Sequence, residues 1–394
     1  MKGQAITLTA GLVLAAGLSG ASSLHAQTVL RGLVILVAFP DAKPPVERAF
    51  VQRRFGRQLD SYVREMSYGK ASLSVDVTEK WLTLPNPVSR YRISPHNLTV
   101  DKSRVRRLID DALATLDPTV PLAQYSFVAL FLAAGVEEYG MIGLCGYPGM
   151  LGWSSDAVPR TRSGQAVKGG VAIFCYQANL GTLFHDLAHI RGGVREGRRL
   201  VPCLYDHDLQ ARPGPLRETA VAAMINLGFW DPMSCHFYQR GQPPPGLCSW
   251  TRLRLNWLDQ SKLKVIRPNQ TTEVVLGPLE DGAAETLALK LPLSEHTYYL
   301  VENRQPLGCD KVLPRYGVLI LFADDRIAEC RQGRAPVKVV NADPSIARLE
   351  GAAFDVGKHA SYSDTAQRLH LQVREKVGSA YRLRCHRAAG GLSP

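Results

Sequence analysis

The hydrophobic positions in the first part of the chain repeat with periods that alternate between strand and helix. Residues 29–40 are a continuous apolar run that ends at a proline, which predicts a buried strand. Residues 47–68 carry apolar side chains at helical spacing and are followed by Gly69, a residue type that often ends helices. Residues 71–84 alternate as strands do, and the apolar positions of residues 102–116 share one helical face.

The same alternation continues as far as residue 192. Residues 126–134 and 169–176 predict two more buried strands, and residues 181–192 predict a helix. Strands and helices in this order are typical of a layered architecture in which helices cover a sheet. Residues 193–246 are broken by Gly and Pro and predict irregular structure, and residues 250–258 predict a short helix.

After Asp259 the pattern changes to short strands separated by turns. The strands are predicted at 263–266, 272–276, 286–291, 297–302, 318–322 and 369–374. We therefore place a domain boundary near residue 260. The chain is expected to have an α+β fold, with one domain at 27–260 and a β-rich C-terminal domain at 261–394.

The chain begins with the pattern of a secretory signal peptide, predicted at residues 1–26. Lys2 gives a positive start, residues 5–20 are apolar or small, and the segment Leu24-His25-Ala26 resembles a cleavage site. We therefore expect the protein to be secreted or periplasmic. No later stretch predicts a membrane-spanning helix, so no stable membrane insertion is expected after cleavage.

All eight cysteines lie beyond the predicted signal peptide. An even number of cysteines in an exported protein indicates disulfides. Proximity along the chain favours pairing of Cys235 with Cys248 and of Cys309 with Cys330, but the sequence alone does not fix the pairing. No C-x-x-C pair occurs, which argues against a cysteine-based zinc knuckle.

The formal net charge of +12 would favour acidic partners, but most Lys and Arg residues are scattered. Only residues 195–199 form a short basic cluster, which we expect to be exposed. No nucleic-acid-binding motif occurs, so nucleic acid is not expected as a partner. Glu302, Asn303 and Arg304 lie on a predicted strand and are expected to make structural contacts in the C-terminal sheet, as a paired surface feature.

The candidate chemistry begins in the predicted helix at 181–192. His185 and His189 are four residues apart, so a helix would present both imidazoles on one face. This is the spacing with which zinc peptidases of the H-E-x-x-H type offer two ligands to one metal ion. Asp186 occupies the position of the usual glutamate, which serves as general base. Taken alone, two histidines at this spacing are a weak signal.

Two downstream features add to that signal. Residues 205–208 (YDHD) supply several candidates for a third ligand: Asp206, His207 and Asp208. Met233 lies in a predicted tight turn, residues 230–234 (WDPMS), although a methionine is more often core filler than the floor of a metal site.

With these motifs in their order, the chain resembles the immune inhibitor A-type metallopeptidases, secreted bacterial zinc enzymes of the metzincin group. The matching segments are 32–40 (GLVILVAFP), 62–70 (YVREMSYGK), 185–192 (HDLAHIRG), 201–206 (VPCLYD), 230–234 (WDPMS), 249–258 (SWTRLRLNWL), 298–305 (YYLVENRQ) and 313–320 (LPRYGVLI). The resemblance implies a metzincin-like zincin catalytic domain, in which a mixed sheet carries the active-site helix, followed by the β-rich domain.

The resemblance also implies site residues and a cofactor, zinc. His185 and His189 would be metal ligands, Asp186 the catalytic base and Met233 the methionine of the Met-turn. The slot of the third ligand holds Cys203, where the family has aspartate, and residues 193–200 are inserted before it. Asp206 is favoured as the third ligand because it occupies the position of the aspartate in the matched Tyr-Asp pair. Cys203, His207 and Asp208 remain alternative third ligands.

The function expected from this resemblance is hydrolysis of peptide bonds through a zinc-bound water, with a protein or peptide as substrate. Aspartate is shorter than glutamate by one methylene, so Asp186 is expected to weaken the activity. The alternative is a catalytically inactive homologue that acts as an extracellular binding protein. A third hypothesis is a structural scaffold that is stabilised by disulfides and binds no metal.

Overall fold

The computed structural model describes residues 27–94, 97–116, 118–211 and 224–388. The predicted signal peptide, residues 1–26, lies outside the described residues. Within the described ranges, no helix is long and apolar enough to cross a membrane.

The first part of the chain builds a six-stranded mixed sheet. Its strands are β1 (Thr28–Ala38), β2 (Ala71–Val77), β3 (Leu82–Thr83), β4 (Phe127–Leu132), β5 (Gly143–Tyr147) and β6 (Val171–Cys175). The order is β2-β1-β4-β6-β5, and β3 pairs with the end of β1. All pairs are parallel except β5 with β6, so the edge strand β5 runs antiparallel to its neighbour.

The helices are mostly short. They are α1 (Arg48–Arg53), α2 (Asp60–Met66), α3 (Lys102–Ala114), α4 (Val136–Tyr139), α5 (Leu180–Gly192), α6 (His207–Ala211) and α7 (Ser249–Arg254). A π-helical segment, Arg54–Leu59, joins α1 to α2. Short 3₁₀ turns lie at Val88–Arg90, Asn97–Thr99, Leu122–Gln124, Ser155–Ala157, Gly228–Trp230, Gln260–Lys262, Gly308–Val312 and Ala347–Leu349. A hairpin of β7 (Val194–Arg195) and β8 (Arg198–Arg199) follows α5.

Strand β1 shows why helices cover both faces of this sheet. Successive side chains of a strand point to opposite faces. Val34 and Leu36 belong to one apolar cluster together with α1, α2 and α5. Ile35 and Val37 belong to a second cluster together with α3. All four side chains are buried. This explains the continuous apolar run in the sequence, which is typical of a parallel strand covered on both faces.

Helix α5 confirms the prediction of a helix at 181–192. The Asn179 side chain caps its first turn by accepting a hydrogen bond from Thr182 N at 2.9 Å. Every residue from 181 to 190 is buried, and Leu183 and Phe184 belong to the apolar cluster beneath the sheet. The helix is therefore held on all sides, and its two histidines lie in the interior.

The second half of the chain is rich in strands. They are β9 (Leu263–Val265), β10 (Gln270–Leu276), β11 (Ala288–Pro292), β12 (Thr297–Arg304), β13 (Gly317–Asp324), β14 (Val337–Val339), β15 (Ser361–Asp364), β16 (Leu369–Val377) and β17 (Ala380–Arg387). They form a five-stranded sheet, β14-β13-β12-β11-β9, and a four-stranded sheet, β10-β17-β16-β15. The fold as a whole is α+β, and the strand-rich part begins close to residue 260.

Strand β12 connects the two halves of the molecule. Its Leu300 side chain joins the cluster that contains α5, and its Val301 side chain joins the cluster between the two C-terminal sheets. The five-stranded sheet is therefore buried on both faces. Because one apolar cluster contains residues from both sides of the predicted boundary, the two parts fold against each other.

Glu302, Asn303 and Arg304 make structural contacts as predicted, but their expected place at the surface is wrong, because all three are fully buried. Arg304 donates to both oxygens of Asp310 at 2.6 Å and to Glu302 Oε1 at 3.1 Å. A buried cation needs such partners. The trio is instead an interior ion network.

The expected disulfides are not formed in this structure, where all eight cysteines are free thiols. Cys235 Sγ donates to the Phe237 carbonyl at 3.4 Å, and Cys309 Sγ donates to Glu65 Oε2 at 3.3 Å. Neither of the pairings that proximity favoured is present.

Candidate metal centre

Helix α5 brings His185 and His189 side by side. The two residues lie one helical turn apart, and their ring centroids are 4.6 Å from each other. His185 is only 3% exposed and His189 only 1%. Burial lowers the pKa of both imidazoles well below the usual value, so both are held neutral. The neutral imidazole is the form that binds a metal.

Backbone carbonyls orient both rings. His185 Nδ1 lies 3.1 Å from the carbonyl oxygen of Pro232, and His189 Nδ1 lies 2.7 Å from that of Val201. Each Nδ1 therefore donates its proton to a carbonyl, which leaves Nε2 unprotonated. This second layer of hydrogen bonds is what metal-binding histidines usually have.

Cys203 completes the group. Its Sγ lies 3.4 Å from Nε2 of His185 and 3.4 Å from Nε2 of His189, and all three donor atoms lie within 4.8 Å of one another. Zinc bonds of about 2.3 Å to sulfur and about 2.0–2.1 Å to nitrogen at a tetrahedral angle put sulfur and nitrogen about 3.6 Å apart. The observed separations are close to that value, so the three side chains fit one metal ion with little movement.

The structure does not bring Asp206, the favoured third ligand, to this group. Its Oδ1 accepts hydrogen bonds from the backbone N–H groups of Asp208 and Leu209, and its Oδ2 accepts one from Gly333 N at 2.8 Å. Asp206 therefore caps the short helix α6 and ties it to a loop of the C-terminal half. A carboxylate with both oxygens engaged in this way is a structural group.

The other two open candidates are not part of the three-donor group, although His207 lines the same cavity. Asp208 Oδ1 accepts from Arg331 at 3.5 Å, and the His207 ring packs against Tyr205 with centroids 5.3 Å apart. Tyr205 itself stacks on His185. Of the four candidates in this segment, the structure joins only Cys203 to the histidine pair.

The Cys203 thiol is protonated when no metal is bound. Burial raises its pKa to about 11, against an opposing effect of the Arg199 guanidinium. A metal ion deprotonates a coordinating thiol outright. Binding of a metal would therefore release one proton here and place a thiolate against the ion.

Asp186 lies on the same helix turn and lines the same cavity. Its carboxyl group is buried, and this burial raises its pKa to about 8. Strand β5 passes directly over it: a Cβ atom at Gly143 would come within 2.9 Å of Asp186 Oδ2 and 2.6 Å of Thr182 Cγ2. Only glycine leaves room for the carboxyl group at this point of the edge strand.

A tight turn supports the site from below. Asp231 Oδ1 accepts from Met233 N at 2.7 Å, and its Oδ2 accepts from Cys248 N at 2.9 Å. Met233 is fully buried, and its carbonyl accepts from Leu204 N at 2.8 Å. The turn thus fixes the Pro232 carbonyl that holds His185 and the segment that carries Cys203.

The donors face a cavity of about 270 Å³. Its walls are largely apolar and include Met141, Leu144, Met150 and Phe237. His236 also lines it, with its ring centroid 4.6 Å from that of His185 and its Nδ1 3.0 Å from Thr182 Oγ1. Burial lowers the pKa of His236 to about 4, so this imidazole is neutral at ordinary pH.

Sequence reasoning missed two site residues, His236 and Arg199. The basic cluster at 195–199 was expected to be exposed, and Arg195 and Arg198 are exposed. Arg199 instead points inward and lines the cavity. Neighbouring side chains of a strand point in opposite directions. A strand prediction over these residues would therefore have indicated that Arg198 and Arg199 point to opposite sides.

Comparison of the chain with models of known protein families and with curated proteins finds no match. The chemistry of the centre therefore rests on its own donors, cavity and charges.

Proposed function

We propose that the protein is an exported zinc-dependent hydrolase that acts on peptide bonds. The observation that carries this proposal is the convergence of His185, His189 and Cys203, which line one partly open cavity. Both imidazoles are neutral, buried and oriented through Nδ1, so they need no rearrangement to act as ligands. The order of the metzincin-like motifs along the chain supports the same reading, including a metzincin-like catalytic domain.

The donor set favours zinc over other metals. Two imidazoles with one thiolate suit zinc, whereas magnesium and calcium prefer oxygen ligands. Three protein ligands leave one tetrahedral position toward the cavity, which is the arrangement of catalytic rather than structural zinc sites. Zinc bound here would lower the pKa of a water molecule and polarise a substrate carbonyl.

Asp186 is the group best placed to accept and pass on a proton. It follows His185 directly in the helix and lines the cavity that the donors face. Its side chain is shorter than that of glutamate by about 1.5 Å. Because a misplacement of about 1 Å can cost on the order of a hundredfold in rate, we expect slow hydrolysis.

The other residues that line the cavity indicate how a substrate would be held. The apolar side chains exclude water and would receive apolar parts of a peptide. His236 offers a neutral imidazole beside the donors, able to hydrogen-bond a substrate group. The predicted signal peptide supports a peptide or protein substrate outside the cytoplasm.

The decisive experiment measures metal content and proteolysis on the same preparation. Protein purified without chelator should contain one zinc ion per chain and should cleave an unfolded protein such as casein, and a chelator should abolish the cleavage. His189→Ala should lose both the metal and the activity. His296→Ala is a matched control, because His296 is a surface residue with a 48% exposed side chain.

Variants of Asp186 separate catalysis from binding. Asp186→Asn should keep the zinc and abolish cleavage, and Asp186→Glu should raise the rate by restoring the longer reach. If zinc is bound stoichiometrically and no substrate is ever cut, the binding-protein alternative holds instead. If the wild-type protein contains no metal and His189→Ala changes nothing, neither reading survives.

A further inference from the structure

The hairpin β7–β8 is built to present Arg199 to the cavity. Its turn residues Glu196 and Gly197 have φ values of 52° and 70°, the left-handed conformations that a tight two-residue hairpin requires. At its base, Leu200 N donates to the Gly193 carbonyl at 3.1 Å, and the Leu200 carbonyl accepts from Arg254 at 3.2 Å. The hairpin is therefore anchored immediately beside Arg199.

Most of the hydrogen-bonding capacity of Arg199 is unused. A guanidinium carries five N–H donors. Nη2 donates to the Pro148 carbonyl at 3.0 Å, whereas Nε is shielded from solvent and has no partner among the described residues. No carboxylate of the described chain forms a salt bridge with it. Asp186 acts electrostatically on Arg199 but forms no ion pair with it. A partly buried cation without a direct anionic partner is costly, so this arrangement favours an anionic ligand.

The surroundings of Arg199 define where that anion would sit. Arg199, Asp186 and the three donors all line the one cavity, and the rest of its wall is largely apolar. Gly149 makes room for the guanidinium, because a Cβ atom there would come within 2.4 Å of Nη2. An anion bound by Arg199 would therefore share the cavity with the metal donors.

We infer that Arg199 binds a carboxylate of the peptide substrate and so selects peptides that carry a negative charge next to the bond to be cleaved. This inference rests on the proposed function and names its substrate class. The planar guanidinium matches a carboxylate in a bidentate pair, which an ammonium group does not. The carboxylate has two sources: the carboxyl terminus of a peptide, as in a carboxypeptidase, or an acidic side chain.

Three N-acetylated peptides of the same apolar sequence distinguish these sources: one with a free carboxyl terminus, one with a terminal amide, and one with a terminal amide and a glutamate as its last residue. We expect the wild-type, zinc-loaded protein to prefer the free acid over the plain amide by roughly tenfold to a hundredfold in kcat/KM, as a charged hydrogen-bonded pair allows. A preference for the glutamate peptide instead would assign Arg199 to an acidic side chain.

Variants then assign the preference to Arg199. Arg199→Met should remove it, and Arg199→Lys should retain only part of it. Arg198→Met is a matched control on the same hairpin, because Arg198 is exposed and, among the described residues, donates only to the Arg326 carbonyl at 3.4 Å. Zinc content should be unchanged in all three variants. The inference is overturned if wild type treats the acid, the amide and the glutamate peptide alike, or if Arg199→Met keeps the preference.

Binding measured by calorimetry separates this inference from the proposed function. If no peptide is cleaved but the free acid binds more tightly than the amide in wild type and equally in Arg199→Met, the hydrolase proposal fails and the carboxylate site stands. If all three peptides are cleaved at equal rates, the hydrolase proposal stands and the carboxylate site fails. The wild-type comparison decides this even if Arg199→Met does not fold.

Discussion

Replacing Arg304 by methionine would remove the cation at the centre of the interior ion network. All five N–H groups of this guanidinium are used: they reach Asp310 twice, Glu302 once, and the carbonyls of Trp230 and Gly246 at 2.9 and 2.8 Å. Trp230 directly precedes the turn that holds His185. The substitution therefore tests what fastens that turn to the C-terminal sheet.

The expected loss of stability follows from the groups left behind. Arg304→Met keeps an apolar side chain of similar length, but it strands two buried carboxylates, Glu302 and Asp310, and leaves two carbonyls without these donors. Removing one partner of a buried ion pair typically costs about 3–5 kcal/mol. If the free energy of unfolding falls by about 3 kcal/mol per molar urea, the midpoint of urea denaturation should fall by at least about 1 M.

The destabilisation should also depend on pH. Burial raises the pKa of Glu302, and Arg304 opposes that effect. Without the cation the pKa in the folded state rises further above the unfolded value. A carboxyl group shifted in this direction destabilises the fold when ionised, so the loss should be largest near pH 8 and should shrink as the pH falls toward about 5.

Arg382→Met is the matched control. Arg382 donates to Glu375 at 2.6 Å between two C-terminal strands, but the side chains are 42% and 55% exposed. An exposed pair of this kind contributes about 0–1 kcal/mol. Urea denaturation followed by circular dichroism compares the two variants. A loss below about 1 kcal/mol for Arg304→Met, or one equal to that of Arg382→Met, would refute the reasoning.

Three further predictions follow from the site and the thiols. Cys203→Ser should weaken zinc binding more than tenfold, measured by competition with a chelating dye, because it removes one of three donors; unchanged affinity would exclude Cys203 as a ligand. Gly181→Ala should destabilise the protein by about 1–3 kcal/mol in thermal denaturation, since its Cβ would lie 1.8 Å from the His236 carbonyl oxygen, a backbone atom; a stable variant would contradict this contact. Thiol titration of unreduced, denatured protein in the presence of chelator should count eight free thiols, and fewer would indicate disulfides.

The periodic elements could be predicted from the sequence because their burial pattern is local. The apolar run at 29–40 became β1, and the histidine helix was predicted to within one residue at its start. The helix predicted at 47–68 is interrupted by a π-helical segment. The spacing of apolar residues along the sequence does not indicate such a segment. The edge strand β5 was also missed, since its sequence, GLCGY, has two glycines and few β-branched residues.

The histidine pair of the candidate site could be predicted from the sequence and the third donor could not, for a physical reason. Two histidines on one helix are fixed relative to each other by helix geometry. The third donor lies on a separate segment. Its identity depends on the path of the chain after the β7–β8 hairpin. Asp206 and Cys203 are three residues apart, and the fold uses one as a helix cap and the other as the donor. Spacing along the chain does not distinguish those outcomes.

Cys203 and Arg199 lie in one segment and together contribute to the charge that the site would carry with a metal bound. A divalent metal with the Cys203 thiolate would carry a net charge of about +1, to which Arg199 would add one positive charge and Asp186, when ionised, one negative. In a cavity with apolar walls such an excess of positive charge is unfavourable when nothing is bound. Under the proposed function, a peptide carboxylate would compensate this charge, whereas a neutral peptide would leave it in place. The segment that carries Cys203 and Arg199 would therefore favour an anionic substrate.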